Sequence, residues 1–226
     1  MYFDYYYLVL VVPTLLLSLY AQFKVKSAFS KYSQVQTMRK ISGKEAAALL
    51  LRSNAISDVN IERVGGSLSD HYDPSHKVLR LSDPVYDKTS IAAVGVAAHE
   101  TGHAIQDKEK YGPLVLRSTL VPAANIGSAA GPYLALAGII FGMNLLLNIG
   151  IILFACAVLF YLVTLPVEID ASRRALKVLE HNAVLSQEEL KGAKKVLSAA
   201  ALTYVASALT AMANLLRLIL ISRDRR

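Results

Sequence analysis

The segment His99–His103, which reads His-Glu-Thr-Gly-His, has residue types and spacing suited to metal-assisted hydrolysis. Residues four apart lie on one face of a helix, so the two imidazoles can bind one zinc ion, with Glu100 beside a metal-bound water. Zinc lowers the pKa of such a water to roughly 7, and the carboxylate can take its proton as the water attacks a carbonyl carbon. The pattern therefore predicts peptide hydrolysis without a covalent intermediate. The alternative is a helix with two unrelated histidines.

A catalytic zinc site normally has a third protein ligand and one position left open for water. The longer metzincin motif is excluded here, because Glu109 occupies the position of its last histidine. The remaining candidates lie further along the chain: Asp107, Glu168, Asp170, Glu180 and His181.

Glu168 is favoured among these candidates by the topology of the chain. It follows directly after a charge-free stretch over residues 118–167. If that stretch is a membrane hairpin, the chain leaves the bilayer on the side where it entered, and Glu168 returns to the face of the histidine helix. We therefore predict Glu168 as a ligand, and Asp170 or Arg173 as a residue that orients a histidine or stabilises the oxyanion. Alternatively, the two carboxylates only favour a helix start at the lipid boundary.

The composition is that of a membrane protein, with 54% hydrophobic and 18% charged residues. Residues 5–23, 118–167 and 196–216 carry no charge, and a span needs roughly 20 apolar residues. The first stretch lacks the flanks of a signal peptide, so we expect it to be retained as an anchor.

The predicted fold is mainly α and integral to the membrane, with about four transmembrane helices and a small zincin-like α+β cytoplasmic part. The predicted segments are an anchor (1–23), a cytoplasmic part with a strand hairpin and the histidine helix (24–117), a transmembrane hairpin (118–167), a cytoplasmic helix with the third ligand (168–195), and a membrane helix with a basic tail (196–226).

Local signals predict the elements of the polar part. Ser42 and Glu45 form a capping-box pattern before a short helix. Strands are predicted over residues 59–64 and 77–81, and a helix capped by Ser90 or Thr89 carries the two histidines. In zinc proteases of this kind the substrate often lies along an edge strand before the metal-binding helix, and 77–81 is placed for that role or for an ordinary hairpin. His71 and Tyr72 are candidates for transition-state contact, with a plain surface role as the alternative.

The net charge of +7 does not indicate nucleic-acid binding, because basic residues cluster beside the predicted spans. Cytoplasmic flanks and anionic lipid headgroups explain this pattern, and the positive-inside rule places both site segments in the cytoplasm. Arg217 and the three arginines that follow it would then finish outside, unless the last helix is re-entrant or lies along the other spans. The basic cluster that follows the first charge-free stretch comprises Lys24, Lys26, Lys31, Arg39, Lys40 and Lys44.

A family resemblance rests on residues 99–106 (HETGHAIQ), 71–74 (HYDP), 79–82 (LRLS), 166–168 (PVE) and 170–172 (DAS). Over nearly the whole chain these segments resemble the YugP-type bacterial membrane zinc metallopeptidases. More distantly the chain is similar to the HtpX and CAAX prenyl endopeptidase group of gluzincins. The resemblance implies one zinc ion on His99, His103 and Glu168, with Glu100 as the base. The distant group carries an aspartate four residues after its glutamate, where this chain has Ser172, and Asp170 is a candidate substitute.

Other functions fit the sequence less well. An intramembrane protease would bury the motif in a full-length span, and a closed structural zinc site in an adaptor usually takes four ligands. A metal transporter would want ionisable residues within its spans, which the charge-free stretches lack. The predicted substrates are proteins or peptides, with membrane proteins or their cytoplasmic ends suggested by the nearby bilayer. Specificity, regulation and oligomeric state stay open.

Overall fold

The computed structural model describes residues 5–224, which form seven α-helices and three short strands. A π-helical turn over Tyr7–Val11 leads directly into the first helix. The elements in chain order are α1 (Val12–Ser33), α2 (Gly43–Ser53), β1 (Asn60–Val64), β2 (His71–Asp73), β3 (Val78–Ser82), α3 (Asp83–Tyr86), α4 (Ile91–Lys108), α5 (Gly112–Phe141), α6 (Asn144–His181) and α7 (Gln187–Asp224).

Within residues 5–224, four helical segments are long and apolar enough to cross a membrane. They are Tyr7–Ser33, Gly112–Phe141, Asn144–His181 and Gln187–Arg223. Helix α5 ends at Phe141, and Gly142 adopts a positive φ of 67° there, a conformation that suits glycine. The prediction of a mainly helical membrane protein with a small α+β part is therefore confirmed.

The described residues divide into two compact units. The first contains the residues up to Gln22, Gly112–Pro166 and the residues from Leu202 onwards. Its helices α5 and α6 pack through small residues: a side chain at Gly127 would collide with the backbone of Leu153. Gly127 therefore serves helix packing within the chain.

The second unit contains Phe23–Tyr111 and Val167–Ala201, and its sheet has the strand order β1-β3-β2. β1 and β3 are parallel, whereas β2 and β3 are antiparallel. The two strands predicted from sequence are thus parallel neighbours, and the hairpin is formed by β2 and β3. Of the two roles predicted for residues 77–81, the edge strand is excluded because β3 has neighbours on both sides, and the hairpin strand is confirmed by its antiparallel pairing with β2.

Helix α4 is the central element of the second unit. Ser90 caps it by accepting a hydrogen bond from the Ala93 N–H at 3.2 Å, as the sequence predicted. One of its faces packs on β3 and α2 through residues such as Ala97, and another face packs on α6 through residues such as Ala98. Burial on both sides explains why this helix is rich in alanine and glycine.

Candidate active site

The two histidines of α4 and the glutamate of α6 meet in the second unit. Glu168 Oε2 lies 3.2 Å from His99 Nε2 and 3.5 Å from His103 Nε2. The imidazole rings are 4.8 Å apart and nearly perpendicular, with an interplanar angle of 83°. The potential ligand atoms of the three residues all lie within 4.8 Å of one another. Three candidate donors from distant parts of the sequence thus converge on one point.

This convergence depends on a close approach of α4 to α6 at Gly102. A Cβ atom at this position would lie 2.5 Å from the carbonyl oxygen of Ala171 and 3.1 Å from its carbonyl carbon. The obstacle is backbone, which a rotamer change cannot move away. Glycine between the two histidines therefore lets α6 come close enough for Glu168 to reach both rings.

The outer nitrogen of each histidine ring has its own hydrogen-bond partner. His99 Nδ1 lies 3.1 Å from Ser172 Oγ, and His103 Nδ1 lies 3.0 Å from Gln106 Oε1. When each Nδ1–H donates to its oxygen partner, each Nε2 presents a lone pair toward the common centre. Such partners fix the tautomer and the ring orientation of metal-binding histidines.

Gln106 is a site residue that the sequence reasoning missed. Its side chain is fully buried and uses both ends of its amide. The oxygen accepts from His103, while the nitrogen donates to the Val167 carbonyl at 2.9 Å and to Asp170 Oδ2 at 2.8 Å. The available signal was spacing, since residue 106 lies three positions after His103 on the same helix face.

Asp170 is hydrogen-bonded to a residue of the site, whereas Arg173 is not. Asp170 accepts hydrogen bonds from Gln106 and Arg174, so it supports His103 through Gln106 and makes no direct contact with His99. Arg174 also pairs with Glu109. Arg173 is exposed and lines a polar cleft on α6, and it has no hydrogen bond to the histidines or Glu168 among the described residues. Its proposed role in stabilising an oxyanion stays a prediction.

Glu100 lies beside the donor cluster without joining it. The residue is only 7% exposed, and its carboxylate accepts a hydrogen bond from the backbone N–H of Tyr72 in β2. Burial raises the pKa of Glu100 to about 7, and the carboxylates of Glu168 and Asp70 act in the same direction. His99 and the Tyr72 N–H oppose this rise. A proton acceptor with these neighbours is suited to general base catalysis near neutral pH.

Tyr72 and His71 both lie in edge strand β2. The Tyr72 hydroxyl donates to Asp107 Oδ2 at 2.8 Å, and burial raises the pKa of this phenol above its usual range. His71 is exposed, with Nδ1 2.8 Å from the Ser69 carbonyl.

Of the five candidate third ligands, only Glu168 joins the histidines. Asp107 binds Tyr72 and Lys77, Asp170 binds Gln106, Glu180 accepts from Gln187, and His181 lines the polar cleft.

The donor set fits zinc by its chemistry. Two imidazole nitrogens and one carboxylate oxygen are the protein ligands of one common class of catalytic zinc site, which leaves a fourth position open. All three residues are largely buried, with side-chain exposures of 13% for His99, 10% for His103 and 3% for Glu168. Since a buried carboxylate next to two imidazoles needs a compensating positive charge, a divalent cation would complete the cluster.

Comparison with known proteins agrees with this site. Residues 7–223 match the family described as "Putative neutral zinc metallopeptidase". The chain belongs to this zinc metallopeptidase family. The "Putative membrane protease YugP" of Bacillus subtilis (strain 168) is 48% identical over 215 residues, covering 95% of this chain and 96% of that protein. No solved structure gave a significant match. Membership in the zinc metallopeptidase family supports zinc-dependent protease activity.

Within this zinc metallopeptidase, Gln106 offers a specific test of histidine orientation. We expect Gln106→Ala to weaken zinc affinity about 10–100-fold, because His103 loses its acceptor and Asp170 loses a donor. Competition with a fluorescent chelator measures this affinity. Excess zinc should restore much of the peptide hydrolysis, which a merely misfolded variant would not regain. The matched control is Gln34→Ala at an exposed position, and equal affinities of the two variants would contradict the assignment.

Proposed function

We propose that this chain is a membrane-embedded zinc metalloendopeptidase of the gluzincin type. One zinc ion is held by His99, His103 and Glu168, and Glu100 is the general base. The observation that carries this proposal is the approach of Glu168 to both histidine Nε2 atoms, with distances of 3.2 and 3.5 Å. Glu168 lies in a different helix from the histidines and is 65 residues beyond His103 in the sequence, so a chance pair of helical histidines does not account for this geometry.

Bound zinc would supply Lewis acidity, which acidifies a water molecule and polarises the scissile carbonyl. Glu100 takes the proton from the attacking water and passes it to the amine that leaves. The backbone N–H of Tyr72 holds the Glu100 carboxylate in place from the side of β2. Ser172 and Gln106 keep the two rings in the orientation that points each Nε2 toward the centre.

The outer edge of β2 is the best candidate for binding an extended peptide. β2 pairs with β3 on one side only, so its other edge is available among the described strands. The backbone N–H of Tyr72 interacts with the Glu100 carboxylate, which supports a position of β2 beside the catalytic group. A substrate strand added here would place its backbone near the metal centre. In this proposal, β2 takes the substrate-binding role that was predicted for residues 77–81.

The active site faces the cytoplasm in this proposal. Most lysines and arginines lie in residues 24–117 and 173–195, the two segments that supply the site, and such segments stay on the cytoplasmic side of a bacterial membrane. The proposed substrates are proteins or peptides, with membrane proteins or their cytoplasmic ends as the favoured class. Site residues and substrates are thereby confined to one side of the bilayer.

Metal depletion of the purified full-length protein tests the proposed activity. We expect a zinc chelator to reduce hydrolysis of a quenched fluorescent peptide library to the rate without enzyme, and one equivalent of zinc to restore it. The measurement is initial rate against zinc added to the depleted protein. Hydrolysis that persists after zinc has been removed, as measured by elemental analysis, would contradict the proposal. A non-enzymatic zinc adaptor would show no hydrolysis at any zinc concentration.

A further inference from the structure

A basic groove lies between α1 and α7 in the second unit, and it takes no part in the active site. Its volume is about 690 Å³. Its floor includes Ala28, Tyr32 and Ala199, which are partly or fully buried. Five exposed lysines line it, together with two serines. The lysines are Lys24 and Lys31 of α1, and Lys191, Lys194 and Lys195 of α7.

Few of the lysine charges in this basic groove are neutralised by acidic side chains. Lys191 forms an ion pair with Glu188 at 2.6 Å. Lys31, Lys194 and Lys195 form no ion pair with any described side chain, and Lys31 Nζ lies 5.7 Å from the Tyr32 ring centre. No described acidic residue lines the groove. Like charges held side by side repel one another, so an anion bound among them would stabilise this arrangement.

The position of the basic groove along its two helices indicates where that anion comes from. Tyr32 lies against Gly192, and from there the groove extends to Lys24 on α1 and to Ala199 on α7, so the helices run antiparallel along it. Lys24 is the first charged residue after the charge-free stretch 5–23, and Lys195 is the last before the charge-free stretch 196–216. Both helices thus change from basic to apolar toward the same end of the groove, which is the pattern of a headgroup boundary.

We infer that the basic groove binds the phosphate headgroup of an anionic phospholipid. The lysine ammonium groups bind the phosphate, while the alanine and tyrosine surface accommodates apolar parts of the lipid. A phosphate can also be supplied by a soluble molecule, but a soluble anion gains nothing from the apolar floor or from the adjoining charge-free helices. This inference is independent of the proposed proteolysis, because none of the groove residues contacts Glu100 or the donor cluster.

Native mass spectrometry of the detergent-solubilised full-length protein tests this lipid site. The probes are dioleoyl-phosphatidylglycerol and dioleoyl-phosphatidylcholine, which have the same acyl chains and differ in net charge. Each lysine near an anionic lipid contributes about a fivefold gain in affinity, so the triple variant Lys31→Gln, Lys194→Gln, Lys195→Gln should bind the glycerol lipid about a hundredfold more weakly. Its binding of the choline lipid should not change.

Two further variants separate charge at this site from general effects. The charge-matched control Lys40→Gln, Lys88→Gln, Lys110→Gln removes three exposed lysines outside the groove and should retain the affinity for phosphatidylglycerol. The conservative variant with arginine at positions 31, 194 and 195 should retain it as well, which excludes loss through misfolding. Equal binding of the two lipids by the wild type would overturn the inference. Displacement of bound phosphatidylglycerol by millimolar inorganic phosphate would also overturn it, in favour of a soluble phosphate ligand.

Discussion

Replacing Glu100 by glutamine is expected to reduce peptide hydrolysis by about 10²–10⁴-fold while leaving the zinc content at the wild-type level. Glutamine keeps the size of the side chain but cannot accept the proton of the attacking water. The zinc content should be unchanged because Glu100 is outside the donor cluster of His99, His103 and Glu168. Initial rates with a quenched fluorescent peptide and elemental analysis of the same preparation measure both quantities.

The control for this experiment is Glu188→Gln, which removes a carboxylate of 81% side-chain exposure from the start of α7. It should have the rate and zinc content of the wild type. A Glu100→Gln protein that holds zinc and cleaves at the wild-type rate would show that Glu100 is not the base. If the variant is inactive and retains zinc, it becomes a substrate trap. Comparing the proteins that it retains with those of the wild type would then identify the substrate class.

Replacing Glu168 by alanine should remove most of the bound zinc. Glu168 is the only one of the three candidate ligands that comes from α6, and it supplies the only negative charge among them. Without it, two neutral imidazoles remain, and zinc affinity should fall by at least about a hundredfold. Hydrolysis should fall with the zinc content. Elemental analysis after dialysis against buffer without zinc is the direct measurement.

The matched control is Glu180→Ala on the same helix, where the side chain is exposed and accepts a hydrogen bond from Gln187 at 2.8 Å. This variant should retain one zinc ion per chain. Full zinc occupancy in the Glu168→Ala protein would reject Glu168 as a ligand, whatever its activity. Circular dichroism of both variants separates loss of metal from loss of helix.

The sequence predicted those features that depend on short-range patterns. The capping box of Ser42 and Glu45 and the Ser90 cap of α4 are both confirmed, because each depends on the chemistry of a few neighbouring residues. The charge-free stretches predicted four helices because a bilayer imposes a minimum apolar length. The approach of Glu168 to the histidines was predicted from the topology of a membrane hairpin, which returns the chain to the side of the bilayer where it entered.

Long-range pairing could not be predicted in the same way. β2 has only three residues, too few for a periodic pattern, and nothing local indicates that β1 and β3 are parallel. For this reason the choice between an edge strand and a hairpin strand for residues 77–81 stayed open until the pairing was known. Gln106 and Ser172 were not predicted as partners of the histidine rings. Their roles depend on how α4 and α6 are rotated about their axes, and that rotation is fixed by packing at Gly102 and Ala171.

The contact between Gly102 and the Ala171 backbone also bears on which ions the site can accept. Because main-chain atoms set the separation of α4 and α6, the backbone positions that carry the ligands have a minimum spacing that side-chain rotation cannot alter. Widening it would require one helix to slide against the other, at the cost of packing on both faces of α4. The backbone spacing of the helix pair thus adds a geometric constraint on a bound ion to the constraint set by the ligand types. Ligand chemistry alone would discriminate less sharply among divalent ions of similar preference.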